Sequence, residues 1–309
     1  MNQSSPLIPK DAQPTSWVDK MPNWFEPYCR LSRYDRPIGI WLLAIPGWIA
    51  IAFTRLNELP HWSDLQLAIL IFIGAIAMRG AGCTYNDILD KDFDAKVDRT
   101  AGRPIPAGRV SVKKAWIWTL IQCSIGLCVL LTLPRTAQIV SLLSIPLIAA
   151  YPLMKRITWW PQAWLGFTFN WAILVAIAAV NQRIEMADMI LYLGFVFWTI
   201  GYDTIYALQD IEDDAMIGVK STARRFGAKV QSATFILYGL SVILVSTACL
   251  LKQAPIGLLG VAIFGGHLML QAIKTSPDMG DRALILFKSN REASLLLLVG
   301  FGLSSIFLI

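Results

Sequence analysis

Nine apolar runs set what this chain can become, at about 37–54, 65–83, 114–133, 136–151, 162–180, 187–207, 231–251, 254–272 and 293–309. Most are close to the ~20 residues a helix needs to cross a bilayer. Inside lipid every backbone N–H and C=O must find a partner within the protein, which leaves helices or closed barrels. Runs of this length without period-two alternation are helices. Only 16% of the 309 residues are charged, against about 25% in a soluble domain, and the mean hydropathy is +0.54. The expectation is an all-α, polytopic membrane bundle of about nine transmembrane helices, with helical caps formed by its long polar loops. Residues 30–309 are expected to form one transmembrane domain embedded in the lipid bilayer. Residues 1–29, with Pro6, Pro9, Pro14 and Pro22 followed by Trp17, Trp24, Phe25 and Tyr28, read as a flexible start and an interfacial amphipathic segment.

The basic residues are unevenly placed. With nine spans, 22 of the 27 Lys and Arg fall on the side of the N-terminus, while Arg55, Arg135, Arg183 and Lys252 fall on the other. That asymmetry orients the chain with the N-terminal side inward. The net charge of +6 therefore belongs to loops and is no nucleic-acid footprint. Residues 1–29 lack the apolar core of a secretory signal, and they hold Asp11, Asp19 and Glu26 but no Arg, unlike a mitochondrial transit peptide. On that ground the chain is expected in a bacterial inner membrane, its site facing the cytoplasm, with a mitochondrial inner membrane as the lesser alternative. The five cysteines are scattered without metal or disulfide spacing, and His61 and His267 have no evident partner, so zinc and haem ligation are not expected.

Against this apolar background two acidic stretches stand out, each at the end of an apolar run. Between Asp87 and Asp98 lie five aspartates. At ~100° per residue Asp87, Asp90, Asp94 and Asp98 share one helix face, and Asp92 points away. Further on, Asp203, Asp210 and Asp214 share a face, with Tyr206 filling the gap. Like charges on one face repel unless a cation sits among them, and hard carboxylate oxygens suit Mg²⁺. The pair reads as two walls of one site. The long loops at about 88–113 and 208–230 are expected to continue helically out of the second and sixth spans. Arg79, alone among the basic residues, lies inside a span, where a charge is a functional hypothesis by default.

Facing carboxylates with basic groups around them fit a diphosphate bridged by Mg²⁺, and apolar helices behind them fit a long lipid tail. A diphosphate on a lipid tail is most simply a prenyl diphosphate. If the tail is allylic, loss of diphosphate gives a carbocation that must be kept from water and captured by an electron-rich acceptor. Tyr85, Tyr206, Trp198 and Phe195 are candidate walls for that cation.

At these residues the chain resembles the UbiA-type membrane prenyltransferases. Asn86, Asp87, Asp90 and Asp94 match the family's first acidic motif, Asp210 and Asp214 its second, and Tyr151 with Lys155 a Tyr-x-x-x-Lys element. Three further stretches, from Arg33 to Leu43, from Tyr151 to Thr158 with Pro161 and Gln162, and from Tyr202 through Thr222, are similar to those of members that prenylate 4-hydroxybenzoate. The resemblance implies Mg²⁺ around Asp87, Asp90, Asp94, Asp210 and Asp214. It implies a polyprenyl diphosphate donor bound with help from Asn86, Arg36, Tyr151, Lys155, Arg79 and Asp203, and 4-hydroxybenzoate as acceptor, alkylated ortho to its hydroxyl in ubiquinone biosynthesis. Arg79 is then the partner for the acceptor carboxylate, and Asp210 a candidate base for the ring proton. Another aromatic acceptor on the same fold, or a transporter with acidic gates, is the competing reading.

Overall fold

The structure is a computed structural model that describes residues 15–96, 100–216, 218–280 and 282–306; the side chains of Asp210, Glu212, Asp213, Asp214, Ser305 and Ile306 lie outside the description. Every regular element among the described residues is helical. In chain order these are α1 (Glu26–Leu31), α2 (Ile38–Thr54), α3 (Trp62–Asp94), α4 (Val112–Thr132), α5 (Arg135–Leu142), α6 (Ile145–Ile157), α7 (Pro161–Phe169), α8 (Trp171–Asn181), α9 (Met186–Tyr206), α10 (Ile211–Met216), α11 (Thr222–Phe226), α12 (Val230–Leu251), α13 (Gly257–Lys274), α14 (Arg282–Lys288) and α15 (Asn290–Ile306). The all-α membrane architecture expected from the apolar runs is present.

Seven helical stretches among the described residues are long and apolar enough to cross a membrane, so the expected count of nine is not reached. The shortfall is one of length. α2 and the described part of α15 have 17 residues each, about 25 Å at 1.5 Å per residue, under the ~30 Å hydrocarbon thickness. The run around Pro146 does break, between α5 and α6, but the two halves add to a 23-residue stretch, Arg135–Ile157. α7 and α8 are similarly jointed at Asn170, whose amide donates to the carbonyls of Gly166 and Phe195 and to the Thr199 hydroxyl at 2.7–3.1 Å. These bonds replace what the joint takes from the helix, as a lipid environment requires.

The chain contacts cluster into two compact units. The first holds residues up to Trp41 and Phe72–Val129. Leu31 on α1, Ile88 on α3, Ile105 and Val110 in the following loop, and Ala115 on α4 form its apolar cluster, with Tyr28 and Val112 packed against it. Beside it the Ser32 hydroxyl accepts from the indole of Trp118 (2.8 Å) and the amide of Gln122 (3.1 Å). α3 runs unbroken from the apolar stretch to Asp94, the helical continuation expected of the second span. Thr100 then caps its end by donating its hydroxyl to the Asp94 carbonyl at 2.9 Å, and residues 100–110 follow as a succession of turns rather than a further helix.

The second unit, Leu42–Ile71 with Leu130–Ile309, is centred on α9. A capping box of Glu185 and Asp188 starts α9, and Leu191, Phe195, Trp198 and Tyr202 on it are fully buried or nearly so. Trp198 packs edge-on against Phe195, Tyr202 and Phe264, and donates its indole N–H to Asn290 at 2.8 Å. Phe195 and Trp198, candidate walls for a cation, are thus committed to the core of this unit. The stretch after α9 continues helically through a 3-10 turn, α10 and α11.

Candidate active site

In the first unit, α3 presents its carboxylates as the 100° rule requires. Asp87, Asp90 and Asp94 are buried, with 0%, 1% and 8% of their surface exposed, whereas Asp92 is exposed. Asp98 lies outside the described residues. Among the described residues, Arg33 and Arg103 reach these carboxylates. Arg33 donates from Nη2 to Asp87 Oδ1 at 2.7 Å, and Arg103 donates from Nη1 to Asp94 Oδ2 at 2.8 Å and to Asp87 Oδ1 at 3.3 Å. Charge-assisted bonds of this kind offset the cost of taking carboxylates out of water. Asp87 Oδ2 is buried and accepts no hydrogen bond.

Neither arginine stood among the expected site residues. Arg33 belongs to a stretch that carried the resemblance, and Arg103 to the basic content of the loop after α3, but nothing in the spacing says which bases turn inward. Arg79, on α3, lies against Gly39 of α2: a Cβ on that glycine would come 2.5 Å from Arg79 Nε. Arg36 pairs with its neighbour Asp35 at 3.3 Å. Asn86 is half-buried beside Asp87.

In the second unit, Tyr151 and Lys155 sit one turn apart on α6, both half-buried, and so share a face. The Lys155 carbonyl accepts from the Lys220 N–H at 3.0 Å. Lys220 Nζ donates to the Ile157 carbonyl at 3.1 Å, the Thr222 N–H donates to Gln162 Oε1 at 3.0 Å, and the Thr204 and Thr222 hydroxyls meet at 2.6 Å. Three stretches singled out by resemblance, around 151–158, 161–162 and 202–222, are therefore tied together. Arg224 and Arg225 stack over Trp159 and Trp160 with 5.5 and 5.8 Å to the ring centroids. Asp203 is half-buried near the end of α9, and Tyr206 packs on Phe287 at 4.7 Å. The backbone of Asp210 and Asp214 is helical, but their side chains lie outside the described residues.

Among the described residues no three His, Cys, Asp or Glu side chains converge as a ready-made metal cage. The first acidic face nevertheless fits a hard divalent cation. Its donors are carboxylate oxygens, they are buried, and one of them, Asp87 Oδ2, has no partner.

Fold and site together define a membrane-embedded helical protein with a buried carboxylate face held by arginines. The chain belongs to the UbiA prenyltransferase family, whose profile matches residues 40–291. Among its relatives, the mitochondrial 4-hydroxybenzoate polyprenyltransferase of Drosophila pseudoobscura pseudoobscura is 40% identical over 305 residues, 97% of this chain and 75% of that protein. The mitochondrial 4-hydroxybenzoate polyprenyltransferase of Homo sapiens is 39% identical over 296 residues, 94% of this chain and 78% of that protein. A UbiA homolog from Archaeoglobus fulgidus bound to GPP and Mg²⁺ has the same fold, with a TM-score of 0.66 at 18% identity over 91% of this chain and 99% of that one.

These relatives correct the expectation of a bacterial inner membrane, because both match nearly the whole chain and both are mitochondrial enzymes of animals. That expectation rested on the composition of residues 1–29. The make-up of a short polar segment weighs little against about 40% identity across the helices.

Proposed function

We propose that this chain, in a mitochondrial membrane, transfers a polyprenyl group from a polyprenyl diphosphate to 4-hydroxybenzoate, in ubiquinone biosynthesis. The new C–C bond forms ortho to the acceptor hydroxyl, diphosphate leaves, and the ring carbon gives up its proton. The observation that carries this reading is the buried carboxylate face of Asp87, Asp90 and Asp94, set among arginines in a membrane protein.

In this reading Asp87, Asp90 and Asp94, with Asp210 and Asp214, hold Mg²⁺. The bound cation draws negative charge from the diphosphate and so eases heterolysis of the allylic C–O bond. Lys155 and Tyr151, one turn apart, bind diphosphate oxygens together with Asn86, Arg36 and Asp203. Arg79 takes the acceptor carboxylate, and Gly39 leaves room for its guanidinium. Asp210 receives the ring proton. Apolar helices hold the tail and exclude water from the cation.

The test is prenylation of radiolabelled 4-hydroxybenzoate by the purified full-length chain in lipid nanodiscs, with a long-chain polyprenyl diphosphate. Product should require Mg²⁺ and fall by at least about a hundredfold in Asp90→Asn and in Asp210→Asn, the scale set by losing one preorganised electrostatic group. Prenylation that persists in both variants would overturn the site. Diphosphate release with a different aromatic acceptor only would overturn the substrate.

A further inference from the structure

Two separate costs meet at one ion pair in the first unit. Arg33, in the turn between α1 and α2, has φ of +57°. The left-handed region costs an ordinary L-residue roughly 1–2 kcal/mol, and such strain persists only where surrounding contacts hold it. Two such contacts are seen among the described residues. Nη1 donates to the Arg30 carbonyl at 3.0 Å, and Nη2 donates to Asp87 Oδ1 at 2.7 Å. The second cost is Asp87 Oδ2, buried and without a hydrogen-bond partner. An acceptor left so is worth about 1–3 kcal/mol against the fold.

The base beneath Arg33 is firm. Arg30, 3% exposed, is tied to Glu26 and to Asp19. The other Glu26 oxygen accepts from Arg109, in the loop after α3, at 2.9 Å. Leu31 sits in the apolar cluster with Ile88, one residue from Asp87. The segment before α2 is thus fixed to the helix and loop that flank the carboxylate.

We propose that Arg33 is a positioning residue for the first acidic face: it pins Oδ1 of Asp87 and so keeps Oδ2 turned out for a divalent cation. The inference rests on the metal reading given under Proposed function. A guanidinium suits the task because its fork serves two acceptors in fixed directions at once. A lysine ammonium is a point charge on a flexible stem and does not span both. Asp87 keeps a second partner, Arg103, when Arg33 is removed, so its carboxylate is not stranded by the substitution.

The test separates the side chain from the strained backbone. Glycine adopts φ of +57° freely, so Arg33→Gly relieves the strain while removing the guanidinium. Mn²⁺ binding to the full-length chain in nanodiscs is followed by electron paramagnetic resonance in the presence of inorganic diphosphate, alongside thermal melting. Arg33→Gly should raise the Mn²⁺ half-saturation concentration by about tenfold, the scale seen when groups that orient a metal ligand are lost, with the melting temperature unchanged within a few degrees. Arg33→Lys keeps the charge and should fall between wild type and Arg33→Gly; it also carries the test if the glycine variant does not fold. Unchanged Mn²⁺ affinity in these variants overturns the inference and leaves Arg33 a turn residue. Asp90→Asn tells the two failures apart. If wild-type Mn²⁺ binding survives that substitution, the metal reading itself is wrong; if it is lost there but untouched in Arg33→Gly, only the role of Arg33 is.

Discussion

Asp64 and Asp87 stand on the same helix, α3, both buried and both held by arginine, yet they are held in different ways. Asp64 receives Arg55 through two parallel bonds, Nε to Oδ2 and Nη2 to Oδ1, both 2.9 Å. The His61 N–H adds a third at 2.8 Å, capping the start of the helix. Nothing on that carboxylate is left over. Asp87 has both its arginines on one oxygen and none on the other. A saturated pair anchors a helix end and a loop. An unsaturated pair carries a cost that a bound cation would remove. Burial and charge do not tell these two aspartates apart; the count of filled lone pairs does.

The comparison breaks most sharply under neutralisation of each carboxylate. Asp87→Asn should reduce prenyl transfer by at least about a hundredfold while lowering the melting temperature by no more than about two degrees, because the asparagine oxygen still accepts from Arg33 and Arg103 keeps its bond to Asp94. Asp64→Asn should do the reverse. Turnover per folded molecule stays within about twofold, and the melting temperature drops by roughly 5 °C, the equivalent of ~2 kcal/mol for losing one end of a bidentate pair at the edge of the membrane. Assay of both variants beside differential scanning fluorimetry settles it. A melting loss in Asp87→Asn with retained turnover would exchange the two roles.

A smaller effect is expected one step back from the carboxylates. Gly39 gives way to Arg79, and a methyl group there would press on Nε at 2.5 Å, whereas the nearest neighbour of a Cβ on Gly74, farther back on the arginine's own helix, is Val129 at 3.8 Å. Gly39→Ala should therefore displace the guanidinium and lower kcat/KM for 4-hydroxybenzoate about tenfold, the order of loss that misplacement by an ångström brings. Gly74→Ala should be near neutral. Equal rates in the two variants would detach Arg79 from the acceptor.

The helical class, the acidic face of α3 and the outward turn of Asp92 were all legible in the sequence, because each follows from local rules: run length, hydropathy and the 100° step. The number of full-length spans was less so. The run at about 37–54 and its helix α2 end together at Thr54; counting apolar runs does not weigh that 17 residues fall short of the bilayer core. Arg33 and Arg103 were beyond reach for a different reason. They come to Asp87 from 54 and 16 residues away, so their role depends on how α1 and the loop after α3 pack. Arg36, the expected candidate at the helix start, lies 3.3 Å from the adjacent Asp35. Trp198 and Phe195 carried the aromatic signal of a cation wall, and the same signal marks a helix core, which is where they lie.

The mildest expected effect bears on the segment that carries Arg33. Cys29, on α1, is 1% exposed, and burial, with Glu26 and Asp35 close by, pushes its thiol from 9.0 up to about 11. The folded chain therefore disfavours the thiolate more than the unfolded chain does. Below pH 9 the thiol is protonated in both states and its contribution to stability is fully present; as pH rises from 9 to about 11 the unfolded chain loses the proton first, and that contribution is lost. One proton can change stability by at most about 1.4 kcal/mol per pH unit. The melting temperature of wild type should fall by a few degrees more than that of Cys29→Ala across this interval, and the two should run parallel below it. Parallel curves throughout would mean that α1 is already loose at Cys29, and a loose α1 could not hold Arg33 in its left-handed turn against Asp87.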